Sequence, residues 1–301
     1  MKGALATLAF LAVLTCSPSL WSRTEPTPHE IARLTVAAEN GDAKSQYQLG
    51  YDHVWGFGFR KDAVKAVQWL RRSANQGYAP AELLLGSAYD EGTGVHQDDN
   101  EAITWYQRAA DQNYALAKFM LATKYEFARN GLSRDHDKAE QLWKESVEPL
   151  SVEAEKGEVL AQCDLGLAYL YGWGIKKDNT EGFKWLRKAA EQGHPMGEGV
   201  LGIAYHAGWG DVPPNDDEAV KWLQKAAEQN VHEAQYVLGM AYATGKGVPR
   251  DYVKAYMWLD LAVAQRNKEA GSALVELAKN MTSGQVKEAT KLTHAWQEKR
   301  Q

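Results

Sequence analysis

Apolar residues recur along this chain at spacings of three and four, and each such run ends at a pair of glycines. Ala81, Leu85, Gly86 and Tyr89 fall on one face of a helix, and the same set returns as Ala161, Leu165, Gly166 and Tyr169, then as Ala234, Leu238, Gly239 and Tyr242. The pattern predicts a helix that closes at a Gly-x-Gly turn, at Gly56 and Gly58, Gly92 and Gly94, Gly172 and Gly174, Gly208 and Gly210, and Gly245 and Gly247. Glycine tolerates the left-handed backbone needed to stop one helix and reverse the chain. A second helix then starts at Asp62, Asp98, Asp178, Asn215 or Asp251, each seven positions before a Trp. Glu101, Glu181 and Glu218 stand three residues after their caps, which is a capping-box spacing. This second helix ends at Gly77, Asn113, Gly193 or Asn230, residue types suited to the position just past a helix C-terminus.

The two helices form a unit that repeats. Leu49-Gly50, Leu85-Gly86, Leu165-Gly166, Leu201-Gly202 and Leu238-Gly239 return at intervals of 36, 36 and 37 residues, with one gap of two periods plus a short insertion. Leu121-Ala122 marks the degenerate copy inside that gap, and Trp69, Trp105, Trp143, Trp185, Trp222 and Trp258 keep the same rhythm. A Gly inside a helix costs about 1 kcal/mol relative to Ala, so its return there predicts a close approach between helices. The fold class expected is all-α, a right-handed α/α superhelix of about six helical hairpins.

The string Ala-x-x-x-Leu-Gly-x-x-Tyr-x-x-Gly-x-Gly-Val, then Asp, then Trp, then Lys-Ala-Ala-x-Gln-Gly, resembles the Sel-like repeat (SLR) family, relatives of the tetratricopeptide repeats. Gly86, Tyr89, Gly92, Gly94, Val95 and Trp105 carry the likeness, as do Ala189, Ala190, Gln192 and Gly193. The resemblance covers roughly residues 30 to 300. It implies an α-solenoid, often exported in bacteria, acting as a binding or regulatory scaffold.

Two stretches depart from the repeat. Residues 126 to 157 lack the Gly-x-Gly turn, which predicts an altered turn and a lengthened second helix through Pro149. At the C-terminus, Thr282-x-x-Gln285 reads as a capping box that opens a helix carrying Val286, Ala289, Leu292 and Trp296 on one side. Such a helix would shield the last repeat. At the other end, Lys2 precedes an uncharged apolar run from Ala4 to Leu14, too short for a membrane span and of signal-peptide length. Val13-Leu14-Thr15-Cys16 resembles a lipoprotein box, so Cys16 is a candidate lipid anchor. The organisation expected is a signal peptide over 1–22, a flexible lead-in over 23–29 and a repeat array over 30–280. Its units are 43–77, 79–113, 115–157, 159–193, 195–230 and 232–267, and a capping helix covers 281–301.

Composition adds little to this picture. The net charge of -5 gives no basic footprint for nucleic acid. The 11 Trp beside 6 Phe are largely explained by one position used six times. After removal of a leader only Cys163 remains as a thiol, so no internal disulfide holds the fold. No metalloprotease, P-loop, Cys-x-x-Cys or serine-nucleophile motif is present, and the Gly-x-Gly pairs lack the strand of a nucleotide site. His194 and His206 share a repeat without further ligands at metal spacing. No catalytic, cofactor-binding or metal residue is therefore assigned.

Binding candidates remain. The turns carry Trp55, Phe57, Phe59, Tyr171, Trp173 and Trp209, which would form an aromatic edge if exposed; the alternative is that each ring folds back over its own helices. Tyr51, Asp90, Glu126 and His206 occupy freely varying first-helix positions and are candidates for the concave face. The function expected is an exported, non-catalytic scaffold for a protein or peptide partner in the cell envelope, periplasmic, or else secreted or lipid-anchored. It would act as an assembly factor or as the regulator of a membrane sensor. The alternative is a cell-envelope enzyme, a peptidoglycan or β-lactam hydrolase, whose site leaves no linear signature.

Overall fold

The computed structural model describes residues 26–127, 133–209, 212–265 and 267–299, and among these every regular element is a helix. The leader, Cys16 and Gly210 lie outside the described residues. The chain divides into two compact units between Lys177 and Asp178.

The first unit holds α1 (Pro28–Glu39), α2 (Ala43–Trp55), α3 (Ala63–Ala74), α4 (Ala79–Glu91), α5 (Asp99–Asp111), α6 (Ala115–Glu126), α7 (His136–Glu155) and α8 (Val159–Tyr171). Hairpins α2/α3, α4/α5 and α6/α7 pack in sequence, with α1 against α2 and α8 against α7. The second unit holds α9 (Asn179–Glu191), α10 (Pro195–Ala207), α11 (Asp216–Glu228), α12 (His232–Thr244), α13 (Tyr252–Ala264), α14 (Lys268–Ala278) and α15 (Ser283–Glu298). There α10/α11 and α12/α13 are the hairpins, α9 packs on α10, and α14 and α15 both close over α13.

The local signals do what their chemistry requires. Asp62, Asp98, Asp178, Asn215 and Asp251 each accept a backbone N–H of the first helical turn, and Asp135 does so in the irregular third unit. The reciprocal half of the capping box is not used at these sites. Glu101 accepts from the Trp105 Nε1–H at 3.1 Å, while Glu181 and Glu218 pair with Lys184 and Lys221. Two full capping boxes do form, at Thr27 with Glu30 and at Thr282 with Gln285. The first of these starts α1 inside the stretch read as a flexible lead-in: Thr27 caps it and Pro28 opens it, so that reading is corrected.

The Leu-Gly glycine admits a side chain rather than a neighbouring backbone alone. A Cβ on Gly50, Gly86, Gly202 or Gly239 would lie within 2.9 Å of Leu70, Tyr106, Leu223 or Leu259, the residue that follows the repeat Trp. At Gly94, Gly174 and Gly247 the second turn glycine seats its turn on the second helix of the preceding repeat. Gly174, at φ 66, lies so close to the Trp143 backbone that no Cβ fits. The Trp rings are mostly buried, with Trp143 at 1% exposure and Trp105, Trp185, Trp222 and Trp258 at 6–9%. Four carry a cation from one helical turn later on their outer faces: Arg72 over Trp69, Arg108 over Trp105, Lys188 over Trp185 and Lys225 over Trp222, at 3.9–4.6 Å.

Candidate interaction surface

Five of the six aromatics of the turn edge pack against neighbouring rings. In the first unit Phe57 lies parallel to Tyr51 at 6.4 Å, Trp55 is 6.3 Å from the same ring, and Phe59 rests on His53 at 4.5 Å. Trp173 stacks on Trp143 at 4.8 Å with 6° between planes, and Tyr171, Phe119 and Phe127 close around it at 4.7–5.9 Å. In the second unit Trp209 is half-buried, its backbone N–H bonded to Ala204 O. None of these six rings is among the exposed large hydrophobics, which are Val36, Val64, Val152, Val275 and Leu292. All six rings are partly exposed, and of the two alternatives the contacts of the first-unit rings match the one in which a ring folds back over helices. The rings gain more from covering helix faces than from lying in water.

The first-helix candidates separate into two classes. Tyr51 is 2% exposed and lies beneath Phe57, so it belongs to the core and not to a free face. Asp90 is buried too, because Lys124 of the next repeat reaches it. Burial raises the Asp90 carboxyl, and Lys124 opposes that shift. Glu126 and His206 remain partly exposed. Glu126 pairs with Arg134 and with His136 at 2.8 Å, and His206 with Asp216 at 3.2 Å.

Lys124 lies at the centre of a buried polar cluster. Its Nζ bonds Asp90 and, at 2.8 Å, Asp99, while Tyr106 Oη lies 3.1 Å from Ser87 Oγ and donates to Asp90 at 3.4 Å. The sequence signal was a concerted departure from the repeat. Lys124 stands where Ala88, Ala168, Ala204 and Ala241 stand, and Tyr106 where Leu70, Leu186, Leu223 and Leu259 stand. The cluster ties α6 to α4 and α5, in the repeat that lacks its own Gly-x-Gly turn.

A second polar feature is shared across repeats. A residue on the first helix meets the Gln near the end of the second: Gln46 with Gln76, Glu82 with Gln112, Glu198 with Gln229 and Gln235 with Gln265, at 2.6–2.8 Å. Glu82 is also neutralised by Arg108 at 3.1 Å. Glu198 has no such ion pair among the described residues, and burial pushes its carboxyl up to about 7.

The histidine pair does not converge. His194 is buried and caps α10, its Nδ1 accepting from Gly197 N–H at 3.1 Å, and burial lowers it to about 3. His206 turns to Asp216. Among the described residues no group of three His, Cys, Asp or Glu is placed to hold a metal, and no helix is long and apolar enough to cross a membrane. Cys163 is a buried thiol on α8.

The second unit carries a groove of about 380 Å³ along α9, with Phe183 and Val212 as its apolar lining and Thr180, Lys184, Arg187, Lys188 and Glu191 around it. Arg187 also bonds Tyr205 Oη of α10 at 2.7 Å.

Six stretches match the Sel1 repeat family model: residues 43–78, 79–114, 115–148, 159–194, 199–231 and 232–267. Among solved structures the chain is similar to a Sel1 repeat protein from Oxalobacter formigenes, 26% identical with a TM-score of 0.50 over 84% of this chain and 95% of that one. It is also similar to a protective antigen of uropathogenic Escherichia coli strains that displays an SLR fold. That match is 29% identical, with a TM-score of 0.47, over 88% of this chain and 63% of that one. A search of curated proteins gives no match.

Proposed function

The chain belongs to the Sel1 repeat family, and from that premise we propose that it is an exported, non-catalytic scaffold that binds a protein or peptide in the cell envelope, with the periplasm as its compartment. Repeats of this family typically mediate protein–protein interaction. The observation that carries the reading is how the repeated residues are spent. Trp, Leu-Gly, the turn glycines and the capping Asp are consumed by packing and helix termination, while the positions that vary between repeats include the exposed charges of the second helices. A surface that the fold does not dictate is where a solenoid carries specificity.

The test is cross-linking of the full chain in the cells that make it, followed by reconstitution with the purified partner. Saturable 1:1 or higher-order binding is expected. Failure to recover any partner that binds after purification overturns the scaffold reading.

Export rests on the apolar run from Ala4 to Leu14 behind Lys2. Wild-type chain is expected outside the cytoplasm at a mass below its full 33.5 kDa, and Leu11→Arg is expected to leave it unprocessed inside. The same mass spectrum reads any lipid on Cys16. Full-length wild-type chain confined to the cytoplasm would overturn export and leave the scaffold reading standing.

A further inference from the structure

The groove on α9 sits where repeat 4 departs from the others in charge and repeat 5 departs in length. Counted from the repeat Trp, the positions one before, two after and three after hold Lys184, Arg187 and Lys188 in repeat 4. The same positions hold Gln68, Arg71 and Arg72 in repeat 1, Thr104, Gln107 and Arg108 in repeat 2, and Leu142, Glu145 and Ser146 in repeat 3. In repeats 5 and 6 they hold Lys221, Gln224 and Lys225, then Met257, Asp260 and Leu261. Only repeat 4 carries three cations there. All three are exposed. Lys188 lies over the Trp185 ring at 3.9 Å and Arg187 donates to Tyr205 Oη at 2.7 Å, and their solvent-facing heads retain further N–H donors.

The turn that follows is also unlike its counterparts. From the first turn glycine to the cap is six residues at Gly56, Gly92, Gly172 and Gly245, but seven from Gly208 to Asn215. Gly208 has ψ 64, against 28–30 at the other four. Val212 of the longer turn and Phe183, 5% exposed, contribute the apolar lining of the groove.

We infer that this groove binds an extended acidic peptide segment of the partner, with one apolar side chain seated between Phe183 and Val212 and flanking carboxylates on Lys184, Arg187 and Lys188. Charge complementarity selects the occupant. Three cations surround the groove against the single carboxylate of Glu191, on a chain whose net charge is otherwise negative. Lys184 shares its charge with Glu181 at 3.0 Å, but both are solvent-facing and a partner carboxylate displaces such a pair at little cost. The inference rests on the scaffold reading and names the kind of segment the scaffold takes.

The test uses the full chain and a labelled Glu-Glu-Leu-Glu-Glu peptide in fluorescence anisotropy, beside Gln-Gln-Leu-Gln-Gln, Glu-Glu-Gly-Glu-Glu and Lys-Lys-Leu-Lys-Lys. The first should bind tightest and weaken with salt. The double variant Lys184→Gln/Arg187→Gln should weaken it about tenfold. Lys221→Gln/Lys225→Gln, which removes two cations from α11, should leave it unchanged. Equal binding of all four peptides, or indifference to the α9 variant, overturns the inference. So does binding of phosphatidylglycerol vesicles through the same two residues, which would make the groove a lipid site. A cross-linked partner that the α9 variant still binds at full strength overturns this inference alone; absence of any partner overturns the scaffold reading beneath it.

Discussion

Trp143→Ala is expected to lower the unfolding free energy of the first unit by about 4 kcal/mol, more than the same change at any other repeat Trp. The other rings of that position keep 6% or more of their surface and, in four repeats, a cation at their outer face, so part of their environment is water and charge. Trp143 keeps 1%. Its indole lies against Trp173 at 4.8 Å and Phe119 at 6.5 Å, and its backbone is where Gly174 seats the fourth turn. Truncation therefore opens a cavity in α7 and removes the surface on which the next turn rests. Trp143→Phe separates packing from polarity. The Trp143 Nε1–H is buried with no hydrogen-bond partner among the described residues, so Phe keeps most of the ring contact and removes an unsatisfied donor. Its cost is expected below about 1.5 kcal/mol. Urea melts of the two variants decide the matter. Equal losses, or a loss below about 1 kcal/mol for Trp143→Ala, would show that the ring is not the anchor of this stack.

That stack marks the limit of what the sequence shows. Spacing placed Trp173 at the tip of a turn, yet spacing carries no direction, and only the approach of Gly174 to Trp143 turns the ring inward. The hairpins were legible because each rests on local chemistry: an Asp cap, a Gly-x-Gly stop and a Trp at fixed distance. Helix α14 has a cap, Asn267, which accepts from Ala270 N–H at 2.9 Å, but neither a Gly-x-Gly stop nor a Trp at the repeat distance marks it in the sequence. Helix α1 had start signals, in Thr27, Pro28 and Glu30, but without a Trp in register they did not read as part of the array. The Lys124 cluster was hidden for a different reason. Lys124, Tyr106 and Asp90 each look like an isolated exception, and only their convergence across three helices makes them one feature. Charges on an outer helix face, such as Lys184 and Arg187, blend into the solvated background until a groove appears beside them.

The stability of the chain is expected to fall as pH rises from about 5 to 8, the reverse of the usual behaviour of carboxylates held in ion pairs. Asp164 stands on α8 where Leu84, Met120 and Val200 stand in other repeats, and burial pushes it up to about 8. Glu198 and Glu233 are pushed up to about 7 by the same cause. For such a group the folded state holds its proton more tightly than the unfolded state. The stability it contributes is fully present below the ordinary carboxyl range and is lost as pH rises through the raised value. On the acid side, Asp42 and Asp62 are lowered by helix-capping hydrogen bonds and Glu145 by its bonds to Lys118 and Gln141. Their contribution disappears as pH falls below about 4. His194, which burial lowers to about 3, also costs stability as pH falls below its ordinary value, but the three raised carboxyls outweigh it above about pH 5, so a maximum near pH 5 follows. Glu198→Gln isolates one group. It reproduces the amide pairs Gln46–Gln76 and Gln235–Gln265 at the equivalent position, with Gln229 as its partner. The variant is expected to gain on the order of 2 kcal/mol at pH 8, change little at pH 5, and show a flatter profile between them. Thermal melts across that range read all three. A gain equal at both pH values would mean that the carboxyl does not titrate in the fold, and that Gln stabilises by geometry alone.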